Sequence, residues 1–446
     1  MQLTTYIPNI LFVMLLALGI GYFARNVKKL IRNIKLGTET DTAGDNAQRW
    51  KNMTMIALGQ TKMVVRPIAG LLHVIVYLGF IIINIEVLEI IIDGIFGTHR
   101  IFSFMGGFYD FLIGSFEILA LLVIIAVVVF WIRRNIICIK RFLKPEMKGW
   151  PKKDADLILY IELVLMFLFL TMNATDLQLQ QMGADHYAQT GSFPVSQYIA
   201  PLFDGMSMAT LIVIERSAWW LHILGILFFL NYLYYSKHLH ILLAFPNTFY
   251  GKLKPNGQFD NLKAVTNEVK MMLDPNTDPF AAPTESGGVE EEPAKFGASD
   301  AMDLNWIQLM NAYTCTECGR CTSECPANQT GKKLSPRKIM MDTRDRLEEI
   351  GKNIDKNKGE FIPDGKQLLD DYISREELWA CTTCNACVQA CPVSIDPLSI
   401  IMSMRQYLVM EQSAAPSELN NMMGNIENNG APWPYNQMDR LNWVNE

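Results

Sequence analysis

The chain has 446 residues, half of them hydrophobic, with 39 Lys and Arg against 45 Asp and Glu for a net charge of −6. A mildly negative balance without an isolated basic block excludes nucleic acid as a partner. Length allows two or three domains, and the apolar residues concentrate before about residue 245, so one half reads as membrane and the other as soluble.

Five stretches are apolar over the roughly 20 residues that a helix needs to cross a bilayer. They fall at about 7–24, 67–92, 110–132, 156–174 and 212–243. The first lacks a basic leader and a small-residue cleavage site and runs straight into RNVKKLIRNIK. It reads as a retained membrane helix rather than a signal peptide. Basic residues crowd the connections after spans one and three, while the other two connections carry only Arg100. The positive-inside rule then places the N-terminus outside and everything after span five in the cytoplasm.

Intramembrane histidines are costly enough to suggest function, and His73, His222, His238 and His240 lie in or at the edge of spans two and five. On one continuous helix, the 18 residues from His222 to His240 make five whole turns. Both imidazoles would then share a face about 27 Å apart, near the hydrocarbon thickness. His238 falls off that face and, with Lys237, would mark the cytoplasmic interface. His73 begins span two just after Arg66 and Pro67, so depth matching makes His73 and His240 the axial pair of an inner b-type haem. His222 has no depth-matched partner within the membrane. An outer haem follows if His99 folds back; otherwise His222 would hydrogen-bond a quinone or pair with an acid. Glu86 and Glu89 would pass quinone protons or pair with Arg216.

Beyond span five, 260–273 carries Leu262, Val265, Val269 and Met272 at helical spacing, the pattern of a short amphipathic helix. The Pro-, Gly- and acid-rich stretch that follows reads as a flexible tether on which the next domain would pivot between membrane and partner.

That domain, about 300–412, contains CTECGRCTSECP at 315–326 and CTTCNACVQACP at 381–392. Both are C-x2-C-x2-C-x3-C-P, the spacing in which three thiolates hold one 4Fe–4S cluster and the fourth ligates the other. One cluster is therefore assigned to Cys315, Cys318, Cys321 and Cys391, the second to Cys381, Cys384, Cys387 and Cys325. Structural zinc favours separated C-x2-C pairs, which these tight clusters fit poorly. SPRKIMMDTRDRLEEIGKN between them has a helical pattern. Cys138 stands alone at a membrane edge and reads as inert. The tail from 413 is polar and Asn-rich, with Trp433 and Trp443 expected to be buried once it orders against a neighbour.

On RPIAGLLHVIVYLGF and WWLHILGILFFLNYLYYSKHLHI, residues 1–245 resemble the five-helix cytochrome b fold of the nitrate reductase gamma subunit and the heterodisulfide reductase membrane subunit. On the cysteine motifs, residues 300–446 resemble the dicluster half of the heterodisulfide reductase catalytic subunit and the glycerol-3-phosphate dehydrogenase iron–sulfur subunit. The whole is similar to the front part of fused membrane iron–sulfur reductases, including the type that connects electron-transfer flavoprotein to menaquinone.

The resemblance implies an all-α membrane protein: a five-helix cytochrome b-type bundle (1–245), a linker (246–299), an α-helical dicluster ferredoxin domain (300–412) and a partner-docking tail (413–446). It implies an electron-transfer subunit in a bacterial cytoplasmic membrane, carrying two 4Fe–4S clusters and haem b and serving menaquinone. Its partners would be a soluble subunit with Cys-Cys repeats or electron-transfer flavoprotein. The gamma subunit has a further haem ligand where this chain has Ile83, a departure that bears on the outer haem. Fused relatives continue into Cys-Cys repeats where this chain ends, so a separate subunit is expected to supply them. A membrane-tethered redox sensor is the alternative from another class. A self-sufficient reductase is disfavoured because no Gly-rich phosphate loop follows a strand.

Overall fold

The computed structural model describes residues 6–259, 261–274 and 295–444. The central part of the expected tether, 275–294, lies outside the described residues. Helices account for the architecture, and the described residues contain no strand, only isolated bridges between Thr38 and Asn305 and between Leu369 and Ile373.

The first half comprises α1 (Ile7–Ile34), the short α2 (Asn46–Met53), α3 (Pro67–Phe96), α4 (Gly107–Asn135), α5 (Trp150–Gln181) and α6 (Met208–Tyr232). All but α2 belong to the five helices that are long and apolar enough to cross a membrane. They outrun the hydropathic stretches because polar turns continue the helix; α1, for example, proceeds through its basic segment to Ile34. Pro67 opens α3 at a position where its missing N–H costs nothing. Gly97, with φ 72°, ends that helix in the left-handed conformation that favours glycine. Phe12, Ile83, Phe116, Phe169 and Ile223 draw all five helices into one buried core.

At the end of the bundle where α3 stops and α4 begins, a buried polar network replaces apolar packing. Arg100 donates to Asp176 from Nε at 2.5 Å, to Asn173 at 3.0 Å and to Tyr109 at 3.2 Å. Tyr109 in turn donates to Glu89 at 2.8 Å, and Asn173 to Glu117 at 3.1 Å. Arg216 pairs with its neighbour Glu215, so the expected pairing with Glu86 or Glu89 is not formed. Glu86 is buried, and its Oε2 has no hydrogen-bond partner.

Span five departs from the single helix expected over 212–243. Helix α6 ends at Tyr232, a 3-10 turn follows, and Ser236 is extended with φ −113° and ψ 149°. The Ser236 hydroxyl accepts from the His238 N–H at 3.1 Å and starts a second 3-10 turn leading into α7 (His240–Phe249). The five-turn relation between His222 and His240 therefore does not hold.

The second half contains α8 (Lys263–Leu273), α9 (Trp306–Thr314), α10 (Arg320–Glu324), α11 (Pro326–Gln329), α12 (Pro336–Lys356), the kinked turn α13 (Leu368–Asp371), α14 (Arg375–Trp379), α15 (Ala386–Ala390), α16 (Pro397–Met410) and α17 (Ser417–Asn429). Helix α8 leaves Val265, Val269 and Met272 exposed. Leu309, Ile339, Leu347, Ile400 and Met404 form the second core, and Leu30, Ile34 and Leu239 of the membrane half belong to it. No residue of α17 is buried, and Trp433 and Trp443 are exposed.

The two halves are docked to each other. Thr38 exchanges backbone hydrogen bonds with Leu304 and Trp306 at 2.9 and 3.1 Å. Asn33 donates to Tyr313 at 2.9 Å, and Arg66 pairs with Glu324 at 2.7 Å. Arg337 pairs with Glu146 at 2.7 Å, Asn247 donates to the Val393 carbonyl at 2.7 Å, and Lys237 pairs with Glu317. Gly351 lies so close to α1 that a Cβ there would stand 2.5 Å from Asn33. The domain expected to pivot on the linker is here seated on the bundle through ion pairs, backbone bonds and shared core.

Candidate redox centres

Each cysteine motif folds the same way because its intervening residues repeat the same backbone. Glu317 and Thr383, between the first and second cysteines, have φ of 53° and 55°; Gly319 and Asn385, after the second, have 70° and 59°. These left-handed turns curl the chain back on itself between the first three cysteines of each motif. A one-turn helix follows, α10 or α15, and the fourth cysteine ends it in an extended conformation. Helices α10 and α15 pack against each other, which brings each fourth cysteine to the other motif.

Cys315, Cys318, Cys321 and Cys391 line one small cavity together with Gly319, Arg337 and Pro392. Cys325 is an electrostatic neighbour of Cys381 and Cys387. Each fourth cysteine thus stands beside the first three cysteines of the other motif. Backbone N–H groups point at sulfur: Ile395 to Cys391 at 3.3 Å and Thr383 to Cys381 at 3.4 Å. Among the described residues no three ligands converge on a point for a single ion; in a 4Fe–4S cube each thiolate serves its own iron, so the sulfurs stand further apart.

The two sets sit in different surroundings. Arg320 in the first motif donates to the Lys62 and Met63 carbonyls at 2.9 and 3.0 Å, just ahead of α3. Arg141 lies beside Cys318, and Lys62 beside Cys391. Burial pulls Arg141 down to about 10, with Cys318 opposing. Glu317 pairs with both Lys237 and Arg344, the latter at 2.8 Å. Burial opposes ionisation of Glu317, but these two cations outweigh it and hold the carboxyl below its usual range. The set containing Cys391 therefore faces the membrane half within a cationic shell. The other faces away, and its Cys384 is exposed. Cys138 is exposed, and its thiol donates to the Asn135 carbonyl at 3.4 Å.

Below the membrane-side set, the imidazole centres of His73 and His240 lie 6.5 Å apart. Two imidazoles across one iron, with metal–nitrogen bonds of about 2.0 Å, would place their centres roughly 6 Å apart. His240 Nδ1 bonds the Lys237 carbonyl at 2.9 Å, the contact that orients a ligating histidine and leaves Nε2 to a metal. His73 Nδ1 is buried without a hydrogen-bond partner. These residues fit a haem iron.

His238 lies 5.4 Å from His240 ring to ring, with Nε2 3.6 Å from Glu162. It belongs to the same cluster of rings rather than to a solvated interface, and Lys237 beside it is committed to Glu317. The break after Tyr232 puts it there, whereas on an unbroken helix His238 would fall off the face shared by His222 and His240.

His222 is buried near the middle of α6, its Nδ1 bonded to the Leu165 carbonyl at 3.0 Å and its ring 6.2 Å from that of Phe169. His99 packs on Tyr187 at 4.8 Å, with Nε2 3.8 Å from Asp176. Asp176 is about 10 Å further along α5 than Phe169, so the structure does not bring His99 and His222 together across one iron. No acid partner for His222 is formed among the described residues.

Comparison with known proteins gives the same picture. Residues 314–395 match the 4Fe-4S dicluster domain family. The chain is 29% identical to the probable iron-sulfur-binding oxidoreductase FadF of Bacillus subtilis, over 98% of this chain and 61% of that protein. It is 25% identical to the EtfAB:quinone oxidoreductase of Syntrophomonas wolfei, over 90% of this chain and 54% of the relative. The dihydromethanophenazine:CoB--CoM heterodisulfide reductase of Methanosarcina mazei has a component that is 30% identical over 32% of this chain and 36% of its own length. The chain thus spans little more than half the length of the first two. No solved structure matches it. The likeness to iron–sulfur reductases and to heterodisulfide reductase read from the motifs is borne out, and the chain joins a 4Fe-4S dicluster domain to five helices long and apolar enough to cross a membrane.

Proposed function

We propose that this chain is the electron-conducting membrane subunit of a quinone-linked oxidoreductase. It would exchange electrons between a soluble redox partner and menaquinone. In this reading Cys315, Cys318, Cys321 and Cys391 hold the membrane-side cluster, and Cys325, Cys381, Cys384 and Cys387 the solvent-side one. His73 and His240 hold one b-type haem. Residues 1–245 are the haem and quinone module, 300–412 the dicluster module and 413–446 the segment that meets a partner. The bound clusters and haem supply one-electron chemistry, which couples to the two-electron chemistry of quinone and partner.

The chain itself contributes position and charge. Exposed Cys384 marks the face open to a soluble partner. Arg141, Arg320 and Lys62 favour negative charge at the membrane-side cysteines. Docking through Glu317 and Glu324 holds those cysteines against the membrane half. His222, which no second imidazole faces, gives its Nδ1–H to the Leu165 carbonyl, and its Nε2 is proposed as the hydrogen-bond acceptor for a quinol hydroxyl.

The observation that carries the haem is the 6.5 Å approach of His73 and His240, with an unpartnered nitrogen on His73. Electron-transfer flavoprotein or a dithiol-bearing reductase subunit is the proposed partner, on the names of the relatives. The end of the bundle that docks the cluster domain carries Arg32, Arg66, Arg141 and Lys237, which supports a cytoplasmic location for that domain and an outside N-terminus. Spectral redox titration of the purified chain, with haem quantified against iron, tests the reading. We expect haem stoichiometric with a pair of clusters and oxidised by a menaquinone analogue. Full iron–sulfur content without haem overturns it.

A further inference from the structure

A cavity of about 390 Å³ opens where the C-terminal part of α1, the turn after α6 and helix α12 meet. Its charges are unevenly committed. Lys29 and Arg32 both bind Asp355, Lys29 at 2.5 Å. Glu348 on the wall accepts from the Tyr313 hydroxyl at 2.6 Å. Arg25 on α1 and Lys352 on α12 line the same space and have no ion-pair partner among the described residues.

Between them lies Asn26, 4% exposed. It sits beside the phenols of Tyr22 and Tyr235, which bond each other at 3.0 Å. Two uncommitted cations beside a pair of phenols are the complement of an oxyanion. The cavity is also continuous with an apolar stripe. Met14, Leu18, Tyr22 and Arg25 fall within about 80° of one another around α1, and Met14 and Leu18 are 57% and 66% exposed.

We propose that this cavity binds the phosphate group of an anionic phospholipid, its acyl chains lying along Met14 and Leu18. Basic pockets at the ends of membrane helices recognise such headgroups. The site is made by both halves of the protein, so the bound lipid tightens their junction. This inference is independent of which redox groups the chain carries.

The test uses the full chain in nanodiscs of phosphatidylcholine, with and without phosphatidylglycerol. Retained lipid is read by mass spectrometry and the thermal midpoint by scanning fluorimetry. We expect phosphatidylglycerol to be retained and to raise the midpoint. Each of Arg25→Gln and Lys352→Gln should weaken retention about fivefold, while Lys28→Gln, outside the cavity, should not. Stabilisation by inorganic phosphate in pure phosphatidylcholine, lost in the same two variants, would support the phosphate site but assign it to a soluble ion. An Arg25→Gln/Lys352→Gln double variant that retains phosphatidylglycerol like the parent overturns the proposal, as does displacement of the retained lipid by a menaquinone analogue.

Discussion

Lys237, in the break between α6 and α7, forms an ion pair with Glu317, the residue between the first two cysteines of the first motif. Both side chains are nine-tenths buried or more, so the membrane bundle and the cysteine domain share one desolvated charge pair. Removing one partner of such a pair costs about 3–5 kcal/mol. Lys237→Met should fall at the lower end, about 3 kcal/mol, because Arg344 still faces Glu317. Hydrogen exchange of the solubilised protein should then speed up in α9 and α10; unchanged protection there would mean that the pair does not hold the domain.

The histidine cluster separates by substitution. His73→Ala and His240→Ala should each abolish the haem absorption band and leave iron–sulfur content intact. His238→Ala should keep the haem, because His238 faces Glu162. His222→Ala should keep the haem and slow the reaction with a menaquinone analogue. A haem lost with His238 in place of His240 would reassign the ligand.

The exchange of fourth ligands is open to spectroscopy. Cys391→Ser should perturb the cluster held by Cys315, Cys318 and Cys321, and Cys325→Ser the other. Electron paramagnetic resonance of each reduced variant should show one altered signal, a different one in each case. The same altered signal from both variants would contradict the crossing.

Charge around the membrane-side cysteines sets a direction for potential. Arg141 lies beside Cys318, and its Nε has no hydrogen-bond partner, so Arg141→Gln removes charge without breaking a bond there. One unit charge at about 7 Å and an effective dielectric of about 20 is worth roughly 100 mV. The variant should lower the potential of that cluster by up to about this amount and leave the other unchanged. Equal shifts in both would show that the charge acts diffusely.

Glu146 gives the docking surface a pH dependence. Burial opposes its ionisation, but hydrogen bonds from Arg337 and Ser335 prevail and hold the carboxyl below its usual range. Its contribution is complete above the ordinary value of about 4.3 and is lost as pH falls through the lower folded value. The thermal midpoints of the parent and of Glu146→Gln should differ by a constant amount from about pH 8 to 5 and converge below about pH 4. A gap that widens in acid would reverse the sign.

Much of this was legible in the sequence. The nearness of each fourth cysteine to the other motif was readable because C-x2-C-x2-C is local and the fourth thiol lies too far along the chain to close on its own three. The five spans were readable because lipid demands apolar length. The break at Ser236 was not: hydropathy continues across it, and only the extended backbone with its Ser236 cap reveals it. The commitment of Lys237, and the nearness of His238 to His240, follow from that break. Docking was hidden for another reason. Its contacts join residues such as Arg337 and Glu146, or Arg66 and Glu324, that are far apart in sequence and ordinary in type. The inward turn of Arg100 was equally invisible, since an arginine in a connecting loop reads as solvated until Asp176 and Asn173 are seen around it.

The crossing of Cys391 into the first cysteine set also has a consequence in time. During synthesis Cys315, Cys318 and Cys321 leave the ribosome well before Cys391, which follows Cys321 by 70 residues. At about 5–20 residues per second, that delay is roughly 4–14 s. For that interval the set is open on one side, and Cys325 waits for three partners still to be made. On the proposed crossed ligation neither cluster would be sealed by its own motif alone, and loading of the two would come after both motifs exist and α10 has met α15. A ribosome stalled between the motifs would release a chain holding the cysteines for one cluster and the geometry for none.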